Sequence, residues 1–176
     1  MKSFLILVFS SFLMSSSFAK DAGPTTVREV DINRYIGKWY EIAKYENSFQ
    51  KKCGATTAEY ALKKGLISVT NSCKNKKTGE LTVAEGTARA VNEENSKLKV
   101  SFVPYFQRFG WFAGDYWIIG LGNDYEYAVV GNPTREYLWF LSRTPSISAE
   151  LFEELKGIAR DQGYDVEKLT LTPKWE

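Results

Sequence analysis

Few side chains in this 176-residue sequence could do chemistry, and one absence narrows them at once. The chain has no histidine, which removes Ser-His and Cys-His nucleophile pairs, imidazole bases and most zinc sites. There remain Glu41, which alternation places on an apolar strand face, the tyrosines Tyr60, Tyr116 and Tyr137, and the cysteines Cys53 and Cys73. A carboxylate among apolar side chains is costly without a partner. Glu41 is therefore expected to be a hydrogen-bonded structural acid near a closed end, with ligand pairing or acid catalysis as the sharper alternative. The tyrosine hydroxyls suit a carboxyl or phosphate group. No metal and no cofactor is expected.

The elements that position these groups begin with a leader. Lys2, the apolar run Phe4 to Met14 and Ser17-Phe18-Ala19 have the form of a secretory signal peptide over residues 1–19. The expected localisation is export: periplasmic in a bacterium, with possible outer-membrane association, and secreted otherwise. The first cysteine is Cys53, so the leader has no cysteine to carry a lipid anchor. Loss of Lys2 leaves 22 basic residues (23 less one) against 21 acidic ones, a formal charge of +1. That is no footprint for nucleic acid. In an exported chain the two cysteines favour one disulfide over two buried thiols. Closing a loop of about 21 residues is worth about 3 kcal/mol in chain entropy.

Residues 20–29 are expected to be a flexible linker and 30–176 a single domain. From Gly37 to Arg143 turn signals recur every dozen or so residues, which predicts eight strands joined by short connections. Such a meander can close into an antiparallel up-and-down barrel and so remove its edges. Ser148 caps one helix, whose stripe of Leu151, Phe152, Leu155, Ile158 and Ala159 covers the outside on Leu138, Phe140, Tyr40 and Ile42. Val166 to Thr172 forms a short final strand. The predicted fold class is all-β with one C-terminal α-helix. Lys97, Lys99 and Ser101 give one strand a polar outer face, which argues against a barrel that spans a membrane.

Strand alternation sorts the faces. Trp39, Glu41, Ala43 and Tyr45 are read as inward on the first strand. So are Ala58, Tyr60, Val69, Ala84, Val100, Phe102, Tyr116, Ile118, Val130, Tyr137, Trp139 and Leu141 farther on. Small residues mixed with aromatics suggest a hollow interior rather than a filled one.

Gly37-Lys38-Trp39-Tyr40, Asn123-Asp124-Tyr125 and Arg143 resemble the three motifs of the lipocalin family. The runs Trp39 to Ala43 and Tyr137 to Pro145 are similar to its bacterial lipocalin, plant temperature-induced lipocalin and apolipoprotein D branch. Asn123 stands where the family commonly has threonine. The resemblance implies that Gly37, Trp39 and Arg143 close the barrel, with the guanidinium on the indole face. It also implies a binding protein rather than an enzyme, carrying a fatty acid, lysophospholipid or similar ligand. The inward residues listed above, Glu41 and Trp39 apart, are the expected contacts. The alternative is an isomerase or de-epoxidase acting on a lipophilic substrate. Between residues 104 and 114, Tyr105, Phe106, Phe109, Trp111 and Phe112 form an aromatic connection suited to a lid, a peripheral membrane contact or a weak homodimer. The chain is otherwise expected to be a monomer.

Overall fold

The computed structural model describes residues 23–63, 65–102 and 113–175. The expected leader lies outside the described residues, as do Tyr105, Phe106, Phe109, Trp111 and Phe112. Asp31 caps one helical turn, α1 (Ile32–Tyr35), by accepting from the Asn33 amide; a turn or 3₁₀ segment was expected there. The strands β1 (Gly37–Tyr45), β2 (Cys53–Lys63), β3 (Leu66–Asn75), β4 (Leu81–Ala90), β5 (Lys97–Ser101), β6 (Gly114–Leu121), β7 (Tyr127–Gly131) and β8 (Leu138–Ser142) follow. Each pairs antiparallel with the next, and β1 pairs with both β8 and β2, so the eight close on themselves.

β2 stays beside β1 only from Gly37↔Tyr60 to Tyr40↔Thr57. Past that point β9 (Leu169–Leu171) takes the vacated edge, pairing with Ala43 to Tyr45. The expected final strand is thus shorter than read, because Asp165 caps a 3₁₀ turn over Val166–Lys168 ahead of it. The α-helix α2 (Ala149–Asp161) starts where the Ser148 side chain accepts from the Leu151 amide. It buries Leu155 and Ala159 against Ile42, Val129, Leu138 and Phe140 on the barrel's outer wall. Tyr40 is not part of that contact and instead carries Lys38 Nζ 5.1 Å above its ring.

Paired residues of an antiparallel sheet share a face, so the register identifies the interior. It places Ala58, Tyr60, Val69, Ala84, Val100, Tyr116, Ile118, Val130, Trp139 and Leu141 on the inner face, as alternation predicts. The exception is on β1. Between Glu41 and Ala43 its register against β8 shifts, and one extra residue turns the remainder of a strand over. Ile42 and Ala43 both join the cluster under α2, and Lys44 comes opposite Trp139. Ala43 and Tyr45, expected inside, are therefore on the outer wall. Tyr45 Oη donates to the Asp165 carbonyl at 2.8 Å, and Tyr45 borders an outer recess of about 330 Å³ with Glu46, Glu136 and Lys168.

The segment 23–29 is not the loose linker expected. The Val27 amide donates to the Ile118 carbonyl at 2.9 Å, and the Thr25 amide donates to Gln162 Oε1 at 2.7 Å. Ser96 Oγ donates to Thr26 Oγ1 at 3.0 Å. A segment tied to the body in this way is held by backbone pairing that its composition does not advertise.

Candidate functional site

The barrel's floor gathers the three motif segments. Arg143 lies with its guanidinium 3.8 Å from the centre of the Trp39 ring, a contact worth about 0.5–2 kcal/mol. Its nitrogens donate to the carbonyls of Lys38 at 3.0 Å, Arg34 at 2.7 Å, Tyr35 at 3.1 Å and Tyr125 at 3.2 Å. A planar fork reaches all four at once, which a lysine ammonium cannot do. Gly37 has φ +97, and a Cβ there would lie 3.3 Å from Arg143 Nη1, so this position favours glycine twice over. Trp39 Nε1 donates to the Tyr35 carbonyl at 2.8 Å. Asn123 and Tyr125 complete the floor: Arg34 Nη2 donates to the Asn123 carbonyl at 3.1 Å and its guanidinium sits 4.2 Å above the Tyr125 ring.

Above the floor three phenols meet. Tyr35 Oη and Tyr116 Oη are 2.7 Å apart, and Tyr60 Oη donates to Tyr116 Oη at 3.1 Å. Burial pushes Tyr60 up to about 12, against the opposing effect of its hydrogen bond to Tyr116, and holds Tyr35 and Tyr116 well above the ordinary phenol value. These two bonds use two of the three hydroxyl protons, so Tyr60 and Tyr116, read as headgroup partners, are bonded to each other and to Tyr35. Tyr35 was not among the expected site residues, because it comes from the helical turn before β1. Trp39, Leu98, Ile118, Ala128 and Val130 are fully enclosed here, and this half of the barrel is packed.

The other half is open. Thr82 and Ala84 of β4 pair with Cys73 and Asn71 and share their inward face, yet both are exposed to solvent. Phe102 is 39% exposed and lies across Gly86, where a Cβ would come within 2.7 Å of its ring. An inward side chain that still meets solvent borders accessible space rather than packed neighbours. Asn71 stands between Ala58 and Ala84 on this face, and its Oδ1 is the buried side-chain oxygen that lacks a hydrogen-bond partner among the described residues. Asn71 lies two residues beyond Val69, so strand alternation puts it on the same face.

A polar latch separates this space from the connection 46–52. Lys44 Nζ lies 2.6 Å from Glu41 Oε1, with both side chains about 5% exposed or less. Thr172 Oγ1 donates to the same oxygen at 2.6 Å, and Gln50 Nε2 donates to Glu41 Oε2 at 2.7 Å. Gln50 Oε1 in turn accepts from Trp139 Nε1 at 3.1 Å and Asn47 Nδ2 at 2.7 Å. Tyr137 stacks on Trp139 at 5.7 Å, and Phe49 covers both, at 5.8 Å and 6.4 Å between ring centres. Glu41 is thus a partnered acid, as expected. Its partners are Lys44 farther along β1, Gln50 of the mouth connection and Thr172, so it faces the mouth rather than the closed end. Cys53 and Cys73 form the expected disulfide, with Cα atoms 5.4 Å apart, at the same end.

The sequence matches the lipocalin-like domain family over residues 30–174. It is 35% identical over 168 residues to the outer membrane lipoprotein Blc of Vibrio cholerae, covering 94% of this chain and 95% of that one. It is 40% identical over 153 residues to temperature-induced lipocalin-1 of Arabidopsis thaliana, covering 84% and 81%. With mouse apolipoprotein D it shares 34% identity over 163 residues, covering 87% and 82%. Among solved structures, insecticyanin of the tobacco hornworm superposes with a TM-score of 0.67 at 19% identity, over 89% of this chain and 86% of that one. Lobster apocrustacyanin A1 gives 0.65 at 15% identity over 90% and 94%. At those identities the likeness speaks for the fold alone.

Proposed function

Since the chain belongs to the lipocalin family, we propose that it is an exported carrier that holds a fatty acid, lysophospholipid or similar amphiphile in the open half of its barrel. The observation that carries this reading is the solvent-exposed inner face at Ala84, Thr82 and Phe102 above a packed floor. An alkyl chain placed there removes apolar surface from water at about 25 cal/mol per Å². Ala58, Val69, Ala84, Val100, Phe102 and Trp139 are the proposed apolar contacts. Asn71 Oδ1, buried without a partner among the described residues, offers an acceptor to a ligand hydroxyl, which a lysophospholipid carries on its glycerol and a fatty acid carboxylate lacks. Blc homologues named as outer membrane lipoproteins and the apolipoprotein D homologues support placement outside the cytoplasm.

The reading favours carriage over catalysis. Both Glu41 oxygens are engaged by protein donors, and the phenols of Tyr35, Tyr60 and Tyr116 bond one another. The test is titration with dansylated undecanoic acid and with lysophosphatidylcholine. Ala84→Trp should block both without loss of fold, because the added ring occupies the open space. A tryptophan at Ala43, on the outer wall, should destabilise the barrel but leave binding by the folded fraction intact. Unchanged binding in Ala84→Trp would reject the open half as the site.

A further inference from the structure

At the mouth of the barrel two connections are held as one surface. The Lys76 amide donates to the Lys52 carbonyl at 2.9 Å, Cys53 pairs with Asn75, and the disulfide joins Cys53 to Cys73. This clamps residues 51–52, which precede β2, against the β3–β4 turn. Lys51, Lys52, Lys76 and Lys77 are all exposed there, with Glu80 the nearby acid on the turn. Beside them the outer face of β4 carries Leu81, 55% exposed, and Val83, 50% exposed; Phe49, 65% exposed, stands three residues before Lys52. Scattered exposed apolar residues need no explanation, but three of them bordering a rigid cationic corner are a different arrangement. Four exposed lysines in one corner stand out in a chain whose formal total is only +2.

We propose that this corner docks the mouth of the barrel onto an anionic phospholipid bilayer, the four lysines facing headgroup phosphates and Leu81, Val83 and Phe49 entering the interface. Charge complementarity selects the occupant. Lysines near an anionic bilayer each contribute about fivefold to partitioning, and the apolar side chains add a contribution that salt does not screen. A soluble polyanion would use the lysines but give Leu81 and Val83 nothing. Leu81 and Val83 lie on the outer face of β4, away from the ligand contacts, so the proposal goes beyond the carrier reading and can fail independently of it.

The experiment is co-sedimentation with phosphatidylcholine vesicles, with and without phosphatidylglycerol, at low and high salt. Folding and dansyl-undecanoate binding are checked in the same samples. The wild-type chain should partition onto the phosphatidylglycerol vesicles, and added salt should weaken but not abolish the binding. The variant Lys51→Gln/Lys52→Gln/Lys76→Gln/Lys77→Gln should lose about 50-fold or more in partitioning. Leu81→Ser/Val83→Ser should lose the salt-resistant part. Neither variant should alter ligand binding. Equal partitioning by the lysine variant overturns the proposal, as does wild-type binding to inorganic polyphosphate without binding to vesicles.

Discussion

Replacing Lys44 by methionine tests the bulge in β1 and the latch built on it. The bulge turns Lys44 into the barrel, where its ammonium lies 2.6 Å from Glu41 Oε1 and both side chains are about 5% exposed or less. At that burial, solvent screening does little. Removing one partner of such a pair leaves the other charge uncompensated, at a cost of about 3–5 kcal/mol. Gln50 and Thr172 still donate to the Glu41 carboxylate, and hydrogen bonds to a charged group are worth about 1.5–3 kcal/mol each. The loss should therefore fall at the low end, about 3 kcal/mol. In Glu41→Gln/Lys44→Met no charge is buried, the amide oxygen accepts from Gln50 while its NH₂ donates to the Thr172 hydroxyl, and stability should return to within about 1 kcal/mol of wild type. Urea unfolding followed by tryptophan fluorescence gives the four corners of the cycle, provided the m-values agree. If Lys44→Met costs less than about 0.5 kcal/mol, Lys44 faces solvent, the strand does not bulge, and Ala43 and Tyr45 return to the interior.

Arg143→Lys keeps the charge but loses the fork to four backbone carbonyls. Because the guanidinium is partly exposed, a discounted loss of about 2 kcal/mol is expected in a urea melt; wild-type stability would mean that a point charge suffices. Tyr35, Tyr60 and Tyr116 are raised by burial above the ordinary value of 10.0, Tyr60 to about 12. A raised folded-state value favours the protonated native form, so this contribution is fully present below pH 10 and is lost as pH rises through the folded values. Stability measured from pH 9 to 12 should fall by up to about 1.4 kcal/mol per pH unit per buried tyrosine, and Tyr60→Phe should make the slope shallower. Reducing Cys53–Cys73 should cost about 3 kcal/mol, read as a shift in the urea midpoint. It should also weaken vesicle partitioning, because the two lysine-bearing connections lose their clamp.

Much of this barrel was legible because its signals are local and periodic. Turn residues spaced the strands, alternation sorted most faces, and Ser148 with the Leu151 to Ala159 stripe marked the helix. The floor was readable from Trp39 and Arg143 only through resemblance, since nothing in the spacing of residues so far apart brings them together. The bulge left no mark. Glu41-Ile42-Ala43-Lys44-Tyr45 alternates well enough to sit in either register, and the shift arises from pairing with β8 on one edge and β9 on the other. For the same reason plain alternation puts Ala43 and Tyr45 on the inner wall, whereas the shifted register puts them outside and Lys44 within. Tyr35 escaped because a one-turn helix offers too few residues for a period to appear. The ordered path of 23–29 rests on amides bonded to Ile118 and Gln162, and backbone donors carry no sequence signature.

The arrangement of β1 between β8, β2 and β9 also bears on the order in which the chain can fold. Three of the nine residues of the first strand pair with Leu169–Leu171, and Glu41 near its middle accepts from Thr172. The first strand therefore cannot complete its hydrogen bonding until residues 169–172 have been made. Contacts of such long separation pay loop-closure entropy before they return any stabilisation. The ring of eight strands can close through β8 and β2 before β9 exists, but the edge of β1 at Ala43–Tyr45 stays unpaired until Leu169–Leu171 reaches it. In a chain that emerges progressively, from a ribosome or a translocation pore, β9 thus acts as a timer on the sealing of that edge and of the Glu41 latch beside it.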